Sequence, residues 1–553
     1  MLKPDKATNR NNASTNSAVP DSSTSTGRAV SSSNTSTSTS DTQSTLDRRG
    51  FIKGAVSLGA ATAVVTTSAV GAALAACTTD DVTLPDGQDP LVAMYDYEVD
   101  IAIAGFGIGG SLAALTAIKE GASVLCVEAF TQTGGTSVDS GGGASAPTST
   151  EIAKTTMPYG NRELVEVFVN SMPKASELVQ DFSIPVRVST SGFTIGTEST
   201  MASRQECFDF MAEVFQDEGG TLLMETKAIK LLTDDSGVVI GMVARENTGK
   251  LINIKAKAVI LACGGFQGNA EMKTRYLGPY GDTAINRSVP TNDGTGIKMA
   301  QEVGAAMSKS LGSFYGHSIA ADIPIEFGEF ASIGSQYHDN RSIVVNLDGL
   351  RFADEGMGLA GDLNNQSLVQ QRWGRGALIF DQFIYDEWGS TTAGGTKTGI
   401  DRTAEVIKRG GKVVSADTIE ELAQKLSAWG YNRAQVIKTV REYNAAVLAG
   451  NTADLAVPRT AGQIASIVEI AKPPFWATEV VCGVSCNYGG LSINTKTEVL
   501  KADGGDPIPG LYAIPGTAGG ITFVYYYISS IGAAAAFGWA SAIEAVKYAN
   551  SQY

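Results

Sequence analysis

The chain has 553 residues, of which 43% are hydrophobic, so it can bury more than one core and we expect two globular domains with additional segments. It carries 42 Lys and Arg against 57 Asp and Glu, a formal net charge of −15. No basic run is interleaved with aromatic side chains, so nucleic acid is not an expected partner. The 6 cysteines and 2 histidines lack the spacing of zinc or haem ligands, and no metal site is predicted.

The N-terminal region divides into two segments of different composition. Residues 1–46 are mostly Ser, Thr, Asn and Asp, and they cannot bury enough surface to offset the entropy of ordering, so they are predicted to be disordered. Residues 47–77 begin with Arg48 and Arg49 and continue into an uncharged stretch rich in Ala, Val, Thr and Gly. This order predicts a twin-arginine export signal and a location outside the cytoplasm, such as the periplasm.

The export segment ends Leu74-Ala75-Ala76-Cys77, which resembles a bacterial lipobox. Lipidation of Cys77 would anchor the protein to a membrane surface, whereas cleavage after an Ala-x-Ala pattern would release it, and both outcomes stay open. A permanent transmembrane helix fits less well because the stretch is only moderately hydrophobic. An acidic linker is predicted over residues 78–95.

The next segment has the order of a dinucleotide-binding unit: an apolar strand, a glycine-rich turn, a helix and a second strand that ends on an acid. Gly105 permits the tight turn, Gly107 lets backbone N–H groups approach a pyrophosphate, and Gly110 lets the helix pack close to the sheet. Glu128 follows the second strand, where a carboxylate can accept hydrogen bonds from a ribose. A second glycine cluster at 134–143 indicates backbone pressed against a ligand, with a flexible loop as the alternative.

Periodicity predicts the elements that follow. Apolar spacing predicts helices over 162–182 and 203–217, and alternation predicts a meander over 221–262 that ends in a buried strand. Residues 315–470 have more aromatic side chains, short strands and two further helices, near 419–428 and 433–448. We therefore predict a nucleotide-binding domain in two parts, 96–314 and 471–553, that flanks an inserted domain over 315–470.

Six motifs resemble, in residue type and order, those of the flavoprotein family that contains soluble fumarate reductases and 3-ketosteroid dehydrogenases. The resemblance covers roughly residues 96–310 and 470–550. The motifs are Gly105-Phe-Gly-Ile-Gly-Gly110, Gly134-Gly-Thr-Ser137, Leu261-Ala-Cys-Gly-Gly-Phe-Gln-Gly-Asn269, Thr291-Asn-Asp-Gly-Thr-Gly-Ile-Lys298, Asn346-Leu-Asp-Gly-Leu-Arg-Phe352 and Ile508-Pro-Gly-Leu-Tyr-Ala513.

This resemblance implies an α/β fold: a Rossmann-like FAD-binding domain of the glutathione-reductase type with an inserted α+β cap domain. It implies non-covalent FAD and hydride transfer at the flavin. Glu128 would hold the adenosine ribose, with Ala228 and Asp293 beside the adenosine, and the helix that starts near Gly532 would point its N-terminus at the flavin. The cofactor-binding residues that it implies are Gly105, Gly107, Gly109, Gly110, Glu128, Ala129, Gly134, Gly135, Thr136, Ser137, Gly141, Gly142, Gly143, Ala228, Ala262, Gly264, Asp293, Gly516, Ile531 and Gly532.

The departures from the family pattern concern substrate binding. Fumarate-type members carry paired histidines just before Gly489, a His and an Arg in the final glycine-rich turn, and an Arg acid after the Arg-Phe motif. This chain has Ser485 and Cys486 at the first place and neither group at the other two. A dicarboxylate needs cationic groups to offset its desolvation, so we expect a cavity without guanidinium or imidazole groups and an apolar substrate.

Tyrosines occupy the final turn instead. Gly519-Gly520-Ile521 followed by Tyr527-Ile528-Ser529 resembles the ketosteroid dehydrogenases that act at the 4,5 bond, and an ungapped comparison selects Tyr526. Tyr526 or Tyr527, with Ser529, is therefore the predicted proton-transfer group, and aromatic packing against the cap is the alternative. Tyr315 is a second candidate for the flavin face, with a structural role as its alternative.

The sequence thus predicts an exported FAD-dependent oxidoreductase that reduces or forms a C=C bond conjugated to a carbonyl, on a small apolar enone or ketone such as a 3-ketosteroid. A reductase of an unsaturated aromatic or small carboxylate, and a non-catalytic surface flavoprotein, are the alternatives. Because the chain shows no second nicotinamide fingerprint, haem motif or iron–sulfur spacing, a separate electron donor or acceptor is predicted, such as a quinone or cytochrome system.

Overall fold

The computed structural model describes residues 94–196, 203–357, 362–392, 395–461, 466–522 and 530–552. The predicted disordered region, the predicted export signal and nearly all of the predicted linker lie outside these residues. Within the described ranges, no helix combines the length and the apolar character needed to cross a membrane.

The chain contains both strands and helices, as the sequence predicts for an α/β fold. The strands are β1 (Tyr97–Ala104), β2 (Val124–Val127), β3 (Gly143–Ser145), β4 (Val186–Ser189), β5 (Gly192–Ile195), β6 (Thr221–Leu223), β7 (Thr226–Thr233), β8 (Val239–Glu246), β9 (Leu251–Leu261), β10 (Ile285–Asn286), β11 (Phe314–Ala320), β12 (Ile343–Val345), β13 (Arg375–Asp381), β14 (Val413–Ala416), β15 (Phe475–Asn487), β16 (Glu498–Leu500) and β17 (Pro507–Ala513). The α-helices are α1 (Ile108–Lys119), α2 (Thr150–Thr156), α3 (Arg162–Asp181), α4 (Arg204–Asp217), α5 (Ala270–Tyr276), α6 (Thr295–Glu302), α7 (Asp362–Leu368), α8 (Gln382–Trp388), α9 (Arg402–Lys408), α10 (Ile419–Ser427), α11 (Arg433–Ala449) and α12 (Ser530–Asn550).

The first sheet carries the glycine-rich turn. Its strands run in the order β16-β17-β9-β1-β2-β6, and β8 joins β7 to β9. Strand β1 is parallel to both β2 and β9, with Ile103 opposite Cys126 on one side and Ile260 on the other. The carboxyl-terminal half of β1, all of β2 and the last four residues of β9 are buried and apolar, as expected for strands covered on both faces. The carboxyl ends of β1 and β2 therefore meet at one edge, where Gly105 and Glu128 follow.

The second sheet is built around β15. This strand pairs antiparallel with β11, β13 and β14 and parallel with β10. Strand β10 precedes, and β15 follows, the 315–470 segment that the sequence assigns to an inserted domain. The sheet therefore includes residues from both sides of that segment in the sequence. A third, small antiparallel sheet has the order β3-β5-β4.

The helix boundaries have local causes. The Ser203 side chain accepts a hydrogen bond from the backbone N–H of Glu206, and Glu206 returns one to the Ser203 N–H, which forms a capping box that starts α4. The observed α3 and α4 confirm the helices predicted over 162–182 and 203–217, and α10 and α11 confirm those near 419–428 and 433–448. The long Ala-rich helix predicted at the C-terminus is α12.

Candidate active-site cavity

A cavity of about 790 Å³ is lined by residues of both large sheets and of the loops between them. This volume lies within the usual range for small-molecule sites in proteins. Most of the predicted cofactor residues line it. They are Gly105, Gly107, Gly109, Glu128, Ala129, Gly135, Thr136, Ser137, Gly141, Gly143, Ala228, Ala262, Gly264, Asp293, Gly516 and Ile531. The predicted residue Tyr315 lines it as well.

The remaining predicted residues lie elsewhere. Gly110, Gly134, Gly142 and Gly532 are not part of the cavity lining, and each of them packs closely against a neighbouring segment. A Cβ on Gly110 would lie 1.9 Å from the Gly105 carbonyl oxygen, so this glycine sets the approach of α1 to β1. The predicted catalytic residues Tyr526, Tyr527 and Ser529 lie outside the described residues.

One end of the cavity is formed by the start of α1. Gly107 is the N-cap residue of this helix and offers no side chain to its first-turn N–H groups. Free N–H groups at a helix N-terminus and the helix dipole together favour a phosphate there. Gly105, with φ +104, makes the turn from β1 that brings this helix end to the cavity.

Two acidic residues lie near the same end. The Glu128 carboxylate follows β2 and accepts hydrogen bonds from the backbone N–H groups of Phe106 (2.8 Å) and Phe130 (2.7 Å). Burial raises the pKa of Glu128, and these N–H groups oppose that rise. Asp293 forms an ion pair with Lys227; burial alone would raise the pKa of Asp293, but the hydrogen bond from Lys227 lowers it.

These features fit a dinucleotide flavin. An uncapped helix N-terminus can hold the pyrophosphate, and a carboxylate oxygen that accepts one backbone N–H still has a lone pair for a ribose hydroxyl. Ser530 and Ile531, at the start of α12, line another part of the cavity.

The wall that carries β11 and β15 holds Arg287. Its guanidinium donates to Ser335 Oγ (3.1 Å), Ser485 Oγ (3.0 Å) and Tyr337 Oη (3.1 Å), and the residue is 7% exposed. All of its hydrogen bonds within the described chain thus go to hydroxyl oxygens. Because a guanidinium has five N–H donors, one N–H on each terminal nitrogen is left for a ligand.

A second guanidinium, that of Arg402, lies over the ring of Tyr337. Arg402, the first residue of α9, lies with its Cζ 4.8 Å from the centre of the Tyr337 ring, and its Nη1 donates to the Thr391 carbonyl (2.8 Å). Burial lowers the pKa of Arg402, and Tyr337 opposes that change. This arrangement is a cation–π contact.

Aromatic residues continue this wall along β11. Tyr315 and His317 lie edge to face with their centres 4.8 Å apart, and His317 lies edge to face with Tyr337 at 5.0 Å. All of these side chains line the cavity, together with Arg287 and Arg402. We call Tyr315, His317, Tyr337, Arg287 and Arg402 the cationic wall.

Asp139 is a carboxyl group that lines the same cavity. Burial raises its pKa, and the charges of Arg287 and Arg204 oppose the rise without cancelling it. Asp139 therefore lies close enough to Arg287 and Arg204 for their positive charges to act on its carboxyl group.

The cationic wall corrects one sequence expectation. The expectation of a lining without guanidinium or imidazole groups is wrong, because Arg287, Arg402 and His317 line the cavity. These three side chains come from segments other than those where related enzymes carry their substrate-binding cations, so the departures at those positions do not reveal them. The one available signal was Arg287 itself, which stands four residues before the Thr291 motif.

Comparison with known proteins gives one family match and several relatives. Residues 100–531 match the family model described as an FAD binding domain. Urocanate reductase of Eggerthella lenta is 27% identical over 447 residues, which cover 76% of this chain and 70% of that protein.

Two solved structures show the same fold. A flavocytochrome c3 fumarate reductase in its open conformation gives a TM-score of 0.61 at 24% identity, over 83% of this chain and 80% of that one. The 3-ketosteroid delta1-dehydrogenase from Sterolibacterium denitrificans gives 0.65 at 21% identity, over 81% and 99%. These matches confirm the resemblance that the motifs indicate and the predicted α/β flavoprotein fold.

Proposed function

Because the chain belongs to the FAD binding domain family, with FAD as its cofactor, we propose that it is an oxidoreductase that adds or removes hydrogen across a carbon–carbon double bond of an unsaturated acid. FAD, when bound, supplies or accepts the hydride. The reaction type is supported by the names of the relatives, which include a urocanate reductase and a fumarate reductase. The acid group is supported by Arg287.

The argument for an acid rests on the burial of a charge. Arg287 is 7% exposed, and its hydrogen-bond partners in the described chain are hydroxyl groups. A buried cation is costly unless an anion compensates it. A carboxylate that accepts the two remaining N–H groups would form charge-assisted hydrogen bonds, each worth roughly 1.5–3 kcal/mol. A neutral ketone could accept hydrogen bonds from Arg287 but would bring no charge of its own to the guanidinium.

The 3-ketosteroid favoured by the sequence stays as the second candidate. The tyrosines of the cationic wall support it, because a phenol can donate a hydrogen bond to a ketone or an enolate. The two candidate substrates differ in charge, because the acid is an anion and the ketosteroid is neutral. An acid and its methyl ester isolate this difference, since they share the same double bond and only the acid carries a charge.

The test uses flavin reoxidation. The purified holoprotein is reduced under anaerobic conditions with a viologen dye and mixed with an unsaturated acid, its methyl ester or a 3-ketosteroid enone. We expect an acid to reoxidise the flavin at least about 30-fold more efficiently than its ester, which corresponds to roughly 2 kcal/mol. Equal rates with acid and ester, or turnover of the enone alone, would overturn the assignment of an acid.

We propose further that FAD is held without a covalent bond by the predicted cofactor residues that line the cavity. The backbone at Gly107 would face the pyrophosphate, Glu128 the adenosine ribose, and the start of α12 the isoalloxazine. Acid precipitation should release all of the flavin into the supernatant. Flavin that stays with the protein pellet would contradict this.

The electron source is proposed to be a separate carrier. The chain shows no haem motif or second nicotinamide fingerprint, and one of the structural relatives is a flavocytochrome. Purified protein should therefore reduce its substrate with reduced viologen and not with NADH alone. Efficient turnover with NADH would contradict the proposal.

Export through the twin-arginine route is proposed from Arg48, Arg49 and the uncharged stretch that follows them. Replacing both arginines by lysine should retain the protein inside the cytoplasm, as judged by cell fractionation. Metabolic labelling with a fatty acid would show whether Cys77 is lipidated, with Cys77→Ser as the control.

A further inference from the structure

Tyr337 occupies an unusual electrostatic position on the cationic wall. Its hydroxyl oxygen accepts a hydrogen bond from Arg287 Nη2 (3.1 Å), and its ring lies under the Arg402 guanidinium, with 4.8 Å between Cζ and the ring centre. The two cations come from different parts of the chain: Arg287 follows β10, and Arg402 begins α9. Both guanidiniums and the phenol line the cavity.

This arrangement suits a phenol that gives up a proton. A phenol has one O–H donor and can also accept hydrogen bonds, so Tyr337 keeps its own proton for a ligand while it accepts from Arg287. The phenolate left after proton transfer would lie beside two largely buried positive charges, which would stabilise it electrostatically. Arg402 would remain at the ring even while Arg287 holds a substrate oxygen.

Exposure within the cavity supports the same role. Arg287 and Arg402 are buried, at 7% and 3% exposure, whereas Tyr337 is only half-buried. Tyr337 therefore exposes more of its surface than the two cations that contact it, and it lines the cavity together with them. His317 contacts the Tyr337 ring edge to face, with 5.0 Å between the ring centres.

We infer that Tyr337 is the catalytic proton donor and acceptor for the proposed reaction at the double bond. The inference rests on the proposed function, and it assigns the proton step to a residue outside the final turn, where the sequence places Tyr526 and Tyr527. In the reductive direction, the Tyr337 proton would go to one olefinic carbon, and its neighbour would take the hydride, with two electrons, that reduced FAD would supply when bound. The double bond would become a single bond, and the Tyr337 phenolate would take a proton from water.

The first experiment separates the proton step from cofactor binding. Tyr337→Phe keeps the ring under Arg402 and removes the hydroxyl. We expect FAD affinity and the rate of flavin reduction by viologen to stay within about 2-fold of wild type. Reoxidation of the reduced flavin by the unsaturated acid should slow at least about 100-fold, as is typical when a general acid is removed.

A matched control exists in Tyr443. This tyrosine also lies under a guanidinium, with Arg351 Cζ 5.7 Å from its ring centre, and its hydroxyl donates to the Val468 carbonyl (3.0 Å), but it does not line the cavity. Tyr443→Phe should leave reoxidation unchanged. Loss of activity in both variants would indicate a structural effect and would overturn the assignment.

A second measurement does not depend on turnover. In protein with 3-fluorotyrosine in place of Tyr337, the fluorine resonance should move when Arg287→Gln removes the hydrogen bond. It should move again when a saturated analogue of the acid is added to the flavin-free or oxidised protein. A resonance that responds to neither change would show that the phenol does not face the ligand, which overturns the inference.

The outcomes separate the two proposals. If the reduced wild type is reoxidised by the acid and Tyr337→Phe retains that rate, the role of Tyr337 is wrong and the proposed function stands. If no unsaturated acid or enone reoxidises the wild type, the proposed function fails, and the proton role fails with it.

Discussion

The two ends of the cavity are built in different ways. At the cofactor end, the groups that face the ligand are backbone N–H groups at the start of α1 and a single carboxylate after β2. At the end that we propose binds the substrate, they are long side chains, Arg287, Tyr337 and Arg402, from segments far apart in the sequence. The first end depends on how closely the backbone can approach a ligand, and the second depends on which side chains the folded chain brings together.

This difference explains what each end tolerates. A glycine that is needed for close backbone approach cannot be replaced without moving a helix or strand. For a side chain on the cationic wall, we expect replacement to act mainly on substrate binding or rate, because no backbone approach depends on it. Substitutions at the two ends of the cavity should therefore differ in whether they change protein stability or substrate binding.

The largest effect is expected at Gly110. A Cβ there would lie 1.9 Å from the Gly105 carbonyl oxygen and 3.3 Å from the Ala262 Cβ, so Gly110→Ala must push α1 away from β1. We expect a loss of about 3 kcal/mol in the free energy of unfolding, measured with urea, together with loss of bound FAD. Gly504→Ala is the control, because a Cβ at Gly504 would meet no atom within 4 Å. Normal FAD content in Gly110→Ala would show that the cofactor end does not depend on this packing.

The next effect is expected at Arg287. Arg287→Gln removes a buried charge that supplies two hydrogen-bond donors to the proposed carboxylate, so KM for an unsaturated acid should rise about 30- to 100-fold, equivalent to roughly 2–3 kcal/mol. KM for the corresponding methyl ester and the affinity for FAD should change little. Arg372→Gln, at an exposed ion pair with Asp348, is the control variant. A large loss of FAD affinity in Arg287→Gln would place this cation at the cofactor instead.

The contrast also explains how much the sequence could predict. Gly105, Gly110 and Glu128 could be placed from the sequence because their roles follow from local backbone geometry within one strand–turn–helix unit. The helices α3 and α4 were predictable from apolar spacing. Arg287 and Tyr337 were not, because they are 50 residues apart and meet only when β10 and β11 both pair with β15. The roles of Tyr315, Tyr526, Tyr527 and Ser529 stay predictions.

A smaller, pH-dependent effect is expected behind the cationic wall. Burial raises the pKa of Asp339 to about 7, although Ser318 donates a hydrogen bond to it. In the unfolded chain the pKa is near 3.8, so between these values the folded state binds the extra proton and stability falls as pH rises. The slope from this group reaches at most about 1.4 kcal/mol per pH unit.

Asp339→Asn should remove that slope. The urea midpoint of the variant should therefore fall less than that of the wild type between pH 4 and 7. At lower pH the two midpoints should change with pH in the same way, because the Asp339 carboxyl is then protonated in both the folded and the unfolded wild type. Parallel curves across this range would mean that Asp339 titrates normally. Glu329→Gln provides the comparison at the partly exposed ion pair with Arg409, because there the Arg409 hydrogen bonds lower the pKa of the carboxyl.

The smallest effect is expected from the Lys227–Asp293 ion pair at the cofactor end. Lys227 and Asp293 are 36% and 34% exposed at their side chains, so water screens their attraction, and such pairs contribute at most about 1 kcal/mol. Lys227→Met should raise the dissociation constant for FAD by less than about 5-fold in a fluorescence titration of the flavin-free protein, and added salt should reduce the difference. A 100-fold loss would mean that a side-chain cation holds the cofactor after all, and the distinction between a backbone-built cofactor end and a side-chain-built substrate end would fail.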